Sequence, residues 1–283
     1  MGPSIPELAN SHWTRSEQGA AVRPSFLVKP RILIWQYDLG MPADLYNWGA
    51  ISVWREHGCP IQGVPGTERF PLILPAINHS VRVVYSGINP SFNMAAVTAY
   101  AHHVDCPLHY FEWTESITDG DVTSRMERLR AFEAHARVNY PYFAYFERFS
   151  SDIGVEHAST THIDVLPLRA TNQQELLKAL GRHRDQKSVA CFIAAQRSIY
   201  AEVLRVLDPE IVLIANASAA RWLRDELRLV PDTWRRTYRW AAAPRATFFL
   251  SGQLSGGATD EFAWDRLAAD IRDVLRANGP AAK

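Results

Sequence analysis

The stretch GINPSFN, residues 87–93, places a carboxamide directly after the apolar run VRVVYS. Pro90 fixes its own φ and pushes the residue before it into extended backbone, so Asn89 is aimed by the chain rather than left to wander. Gly87 permits a close turn just ahead of it. An amide held this way suits contact with a nucleic-acid base; the simpler alternative is an Asx-type turn that only ends a strand. Further along, HIDVLPL (162–168) puts His162 and Asp164 on one face of a strand by the period of two. That pair is either a functional couple or a plain structural hydrogen bond. SGQLSGGATD (251–260) is a loop rich in glycine and serine, with Gln253 as its amide; on its own it reads equally as a turn into a helix. WRRTYRW (234–240) interleaves Arg235, Arg236 and Arg239 with Trp234, Tyr238 and Trp240. Arginine beside aromatic rings suits phosphate contact and base stacking, and the alternative is a solvated loop. GRHRDQK (181–187) is a weaker basic stretch.

These residues need a frame. Four short apolar runs, at 81–86, 162–168, 210–216 and 246–252, each end in a turn signal, as strands covered on both faces do. Helical segments separate them. Residues 124–137 set Met126, Leu129, Phe132 and Ala136 on one face; Thr171 and Gln174 have capping-box spacing at the start of another helix; 189–207 and 218–227 read as two more. In 261–276, Trp264, Leu267, Ala268, Ile271 and Leu275 form one stripe. The alternation predicts an α/β fold, a three-layer α/β/α arrangement around a mostly parallel four-stranded sheet. Ligands of such sheets sit beyond the carboxyl ends of the strands, where GINPSFN, DVLPLRATN, NASA and SGQLSGGATD all fall. The aromatic cluster NYPYFAYFERF (139–149) reads as packing over the sheet. Residues 1–28 read as a flexible arm, with RILIWQ at 31–36 as a short strand. Residues 29–73 read as an irregular extension packed on a domain of 74–277, and 278–283 as a tail.

Composition sets outer bounds. A hydrophobic fraction of 47% over 283 residues supports a real core and opposes disorder. Cys59, Cys106 and Cys191 are far apart and form no CxxC, against a zinc ribbon or a four-cysteine iron–sulfur cluster and in favour of a reducing, cytosolic compartment. No apolar run suits a signal peptide or a bilayer span. The formal net charge of zero weakens strong non-specific DNA affinity, which needs clustered cations, but leaves room for a local basic patch.

LPAINHSVRVVYSGINPSFN (74–93) resembles the first motif region of the uracil-DNA glycosylase superfamily, closest to the mismatch-specific thymine/uracil glycosylases and the single-strand-selective monofunctional uracil glycosylases. The resemblance implies that Asn89 positions the hydrolytic water, with Gly87 and Ile88 beside the base and Ser91 standing where the family has glycine. SGQLSGGATD resembles the family's closing loop. On that alignment Gln253 takes the His/Asn position that steadies the leaving base, and Ser255, Gly256 and Gly257 lie against DNA phosphates. HIDVLPLRATNQ resembles the segment whose Asn reads the uracil edge, which puts Asp164 there. An ionised Asp offers acceptors only, so the specificity differs from uracil, or the carboxyl is protonated, or Asp164 does another job. A stacking aromatic is expected a dozen or so residues past Asn89. Tyr100 is preferred over Phe92 and His102.

The expectation is a monofunctional DNA glycosylase acting on uracil or another deaminated or mismatched base. It would need no metal or organic cofactor, bind single- or double-stranded DNA, avoid membranes and act as a monomer. A non-catalytic nucleic-acid-binding relative and a hydrolase of another N-glycoside are the competing readings.

Overall fold

The computed structural model describes residues 41–78, 80–89, 92–232, 237–252, 254 and 260–278. The flexible-arm and strand expectations for 1–36 lie outside these residues.

Six strands form one sheet: β1 (Val83–Ser86), β2 (Thr160–His162), β3 (Ile211–Ala215), β4 (Val230–Asp232), β5 (Thr237–Trp240) and β6 (Ala243–Ser251), in the order β2-β1-β3-β6-β5-β4. β2, β1, β3 and β6 run parallel, and β5 and β4 continue the sheet antiparallel. The α/β/α expectation therefore holds, with six strands rather than four. Of the added pair, β5 lies in the basic-aromatic segment and β4 just before it. Thr237 and Trp240 are buried, and Trp240 packs against Tyr200 and Phe248 at 6.1 Å between ring centroids. The buried positions there do not alternate, because the pairing with β6 shifts register between Tyr238 and Trp240.

β1 and β3 are buried along their whole length because helices cover both faces. Successive side chains alternate sides. Val84, Val212, Ile214 and Phe248 pack toward one core, with Trp54, Leu129, Tyr200 and Leu223. Val83, Tyr85, Ile211, Leu213 and Phe249 pack toward the other, with Phe146, Phe149, Trp264 and Ile271. The helices are α1 (Pro42–Glu56), α2 (Met94–His103), α3 (Asp119–Asn139), α4 (Pro141–Asp152), α5 (Gln173–Arg182), α6 (Lys187–Leu207), α7 (Ala217–Glu226) and α8 (Glu261–Asn278). The expected stripes of α3 and α8 are the buried ones, apart from the half-buried Leu267. No helix among the described residues is long and apolar enough to cross a membrane.

Three local readings are corrected. Residues 42–56, expected to be irregular, form α1, whose many buried positions leave little polar face to betray a helix. α1 lies close on α6 because Gly49 is small: a Cβ there would stand 2.9 Å from Ile199 Cδ1. The strand expected at 162–168 is centred earlier, at 160–162. Beyond it the chain stays extended beside β1, with Ile163, Val165 and Leu166 N–H donating to Tyr85, Gly87 and Ile88 carbonyls at 2.9, 3.1 and 2.7 Å. Finally, α5 is capped by Asn172 rather than Thr171: Asn172 Oδ1 accepts from Gln174 and Glu175 N–H at 2.9 and 3.2 Å.

Candidate active site

A cavity of about 400 Å³ opens at the carboxyl ends of β1 and β3, as the parallel arrangement dictates. Ser86, Gly87 and Asn89 come from the end of β1, His162 and Asp164 from the end of β2, and Ala215 and Asn216 from the end of β3. Helices supply the walls: Tyr100 from α2; Phe132, Glu133, Ala136 and Arg137 from α3; Tyr142 and Phe143 from α4.

Of the residues expected to act, Asn89, Gly87, Tyr100 and Asp164 come together at this cavity. Asn89 is 8% exposed, and its Nδ2 donates to the Ala170 carbonyl at 3.5 Å. Tyr100 is half-buried, with its hydroxyl donating to the Asn139 carbonyl at 3.1 Å and its ring edge-on to His135 and Tyr140. Phe92 also lines the cavity, under the Arg69 guanidinium 4.0 Å from its ring centre. Ile88 does not line it. Its side chain is wholly buried in the core, and what it contributes is the carbonyl that accepts from Leu166 N–H. Arg239 sits on β5 beside Asp232 at 3.6 Å, away from the cavity lining. Ser91, Gln253, Ser255, Gly256, Gly257, Arg235 and Arg236 lie outside the described residues.

Asp164 and His162 do share a face, but Nε2 and Oδ1 are 3.6 Å apart, beyond hydrogen-bond range. The imidazole is boxed edge-on by Tyr142, Phe143 and Phe146 at 6.0, 5.7 and 5.1 Å. The Arg137 guanidinium donates to the His162 carbonyl at 2.7 Å and the Thr161 hydroxyl at 3.3 Å, and burial lowers its pKa. Glu133 and Arg169 pair at 2.6 Å. Arg169 Nε also donates to the Phe70 carbonyl at 3.2 Å, so this pair ties α3 to the segment that follows Asp164. Tyr46 of α1 steadies the same segment, its hydroxyl donating to the Asp164 carbonyl at 2.8 Å. Burial raises the pKa of Tyr46 and Tyr142, and the Asp164 carboxylate adds to both shifts, so the two phenols stay protonated at neutral pH.

Sequence reading missed the α3 polar groups and most of the aromatic wall. The cluster 139–149 divides: Phe146 and Phe149 are core, whereas Tyr140, Tyr142 and Phe143 face the cavity. The signal was Pro141, which stops α3 and starts α4 and so holds a corner of aromatics at the rim. Glu133 and Arg137, four residues apart on α3, were legible only as a helical pair.

No protein-family model and no curated protein matches this chain.

Proposed function

We propose that the chain is a monofunctional DNA glycosylase that hydrolyses the N-glycosidic bond of a base extruded into this cavity. The observation that carries the reading is the placement of Asn89: an amide at the end of a buried parallel strand, at a cavity walled by Tyr100, Tyr142 and Phe143, with Asp164 as a further polar group. The resemblance of GINP and the closing loop to the uracil-DNA glycosylases points the same way, by order and spacing along the chain.

A base inside a duplex is out of reach, so the nucleotide must leave the stack first. Aromatic walls receive a planar ring, and the polar groups read its edge. Asn89, through its side-chain carbonyl, holds a water against the sugar. The water oxygen bonds to the anomeric carbon as the C–N bond breaks, and the electron pair of that bond departs with the base. One proton of the water is released to solvent or to the base. An amide is too weak a base to take that proton early, so the contribution of Asn89 is positional and electrostatic. Gln253, by its place in the closing loop, steadies the departing base, and Ser255 with its neighbouring glycines meets phosphate. The partner is DNA, single- or double-stranded, the compartment the cytosol, and the working form a monomer.

Incision of oligonucleotides carrying one uracil, hypoxanthine, xanthine or mismatched thymine, followed by alkaline cleavage of the abasic product, is the test. Release of a base by the wild-type chain and not by Asn89→Ala supports the reading. Equal release by both ends it.

A further inference from the structure

Asp164 is the odd member of the cavity. Its side chain is only 4% exposed, yet among the described residues its carboxylate accepts no hydrogen bond, and His162 Nε2 stands 3.6 Å from Oδ1. Neighbouring donors point elsewhere: Tyr46 to the Asp164 carbonyl, and Arg137 to the His162 carbonyl and the Thr161 hydroxyl. The other carboxylate of the cavity, Glu133, is matched by Arg169 at 2.6 Å. The Asp164 carboxylate therefore faces the cavity with acceptor capacity that no described donor of the protein takes up, and a ligand lodged there meets it directly.

The chemistry of the donor follows. An ionised carboxylate offers two acceptor oxygens and no donor. Uracil presents one ring N–H flanked by two carbonyl oxygens, so one carboxylate oxygen is satisfied while the other faces a like dipole. A base that sets an exocyclic amino group beside a ring N–H presents two adjacent donors, which match the two oxygens in a fork. The leaving charge argues in the same direction. The base departs with the electron pair of the glycosidic bond, and a carboxylate beside carbonyl oxygens opposes that build-up of charge, whereas a carboxylate paired to two N–H donors opposes it less.

We infer that this cavity selects an amino-bearing base, one with an exocyclic amino group next to a ring N–H as in guanine-type lesions, over uracil, with Asp164 as the residue that sets the choice. The inference rests on the reading of the cavity as the seat of a flipped base.

Two measurements separate it from that reading. In the first, quenching of intrinsic fluorescence follows binding of free isocytosine, which carries the amino/N–H edge, against free uracil. The wild-type chain binds isocytosine at least about tenfold more tightly, the discrimination typical of one forked pair, and Asp164→Asn reverses the order. The second is incision of oligonucleotides carrying 8-oxoguanine or 7-methylguanine against uracil or hypoxanthine. Preferential release of the amino-bearing bases extends the selection to catalysis. Equal binding of the two free bases, or tighter binding of uracil by the wild-type chain, overturns the inference, and this arm needs no variant to fold. An isocytosine preference without release of any base keeps the selection and removes the glycosylase assignment.

Discussion

The Asp164 carboxylate occupies the space that a side chain on Gly87 would need: a Cβ built on Gly87 would stand 2.4 Å from Asp164 Oδ1. A Cβ at this position therefore requires the carboxylate to shift. Gly87→Ala should push the carboxylate aside or open the end of β1, at about 1–3 kcal/mol of stability, the usual range for overpacking a filled site. Combined with Asp164→Ala, the same substitution should be nearly neutral. Chemical denaturation of the two single variants and the double variant checks this. Strict additivity would show that the two residues do not meet.

Asn89→Ala should lower base release by about 10²-fold or more, the effect of losing one preorganised polar group. Thermal stability should change little by comparison, because the substitution removes no apolar volume from the core. Single-turnover incision beside a melting curve separates the two. Loss of activity accompanied by an equal loss of folded protein would count against a role in the reaction.

The sheet that positions Asn89 was legible because β1 and β3 are buried along their whole length and β6 is buried over 246–249, so each contributes a short, mostly apolar run. The site was legible where one short segment carries its own constraint, as the proline does after Asn89. It was not legible where distant segments meet. Glu133, Arg137 and Arg169 look like ordinary helix and loop charges until α3 packs beside the extension of β2. Tyr140, Tyr142 and Phe143 look like core because aromatics usually are. α1 was lost for the opposite reason: with ten of its fifteen residues buried, it shows little of the amphipathic contrast that marks a helix.

Stability should fall in alkali. Burial raises the Cys59 thiol from 9.0 to about 12 and the Cys106 thiol from 9.0 to about 11, and it also raises Tyr85 and Tyr200 above the ordinary phenol range. Below about pH 7 these groups are neutral both folded and unfolded, so they give no pH dependence there. As pH rises through 9, the unfolded chain loses protons that the folded chain keeps, and stability falls progressively toward pH 11–12. Urea midpoints taken from pH 7 to pH 11 should be flat and then decline. A midpoint that rises above pH 9 would contradict the burial of these groups.

The Glu133–Arg169 pair is part of the cavity wall and ties α3 to the segment that follows Asp164. The Arg169 side chain is 4% exposed and that of Glu133 11%, and their atoms approach to 2.6 Å without an aligned hydrogen bond between them. Such a pair is held by charge in a place poor in water, so removing one partner leaves the other buried and unmatched. Glu133→Gln should therefore destabilise by about 3–5 kcal/mol, whereas Glu133→Leu combined with Arg169→Met should recover most of that loss. The effect should reach function as well. Arg169 lies on the segment that begins at Asp164 and ends at the Ala170 carbonyl bonded by Asn89, so loosening it disturbs Asp164 and Asn89 at once. Melting temperatures of the three proteins, with base release measured well below each transition, test the two claims together. A Glu133→Gln variant as stable as the wild type would show that water or a rearranged neighbour already satisfies Arg169.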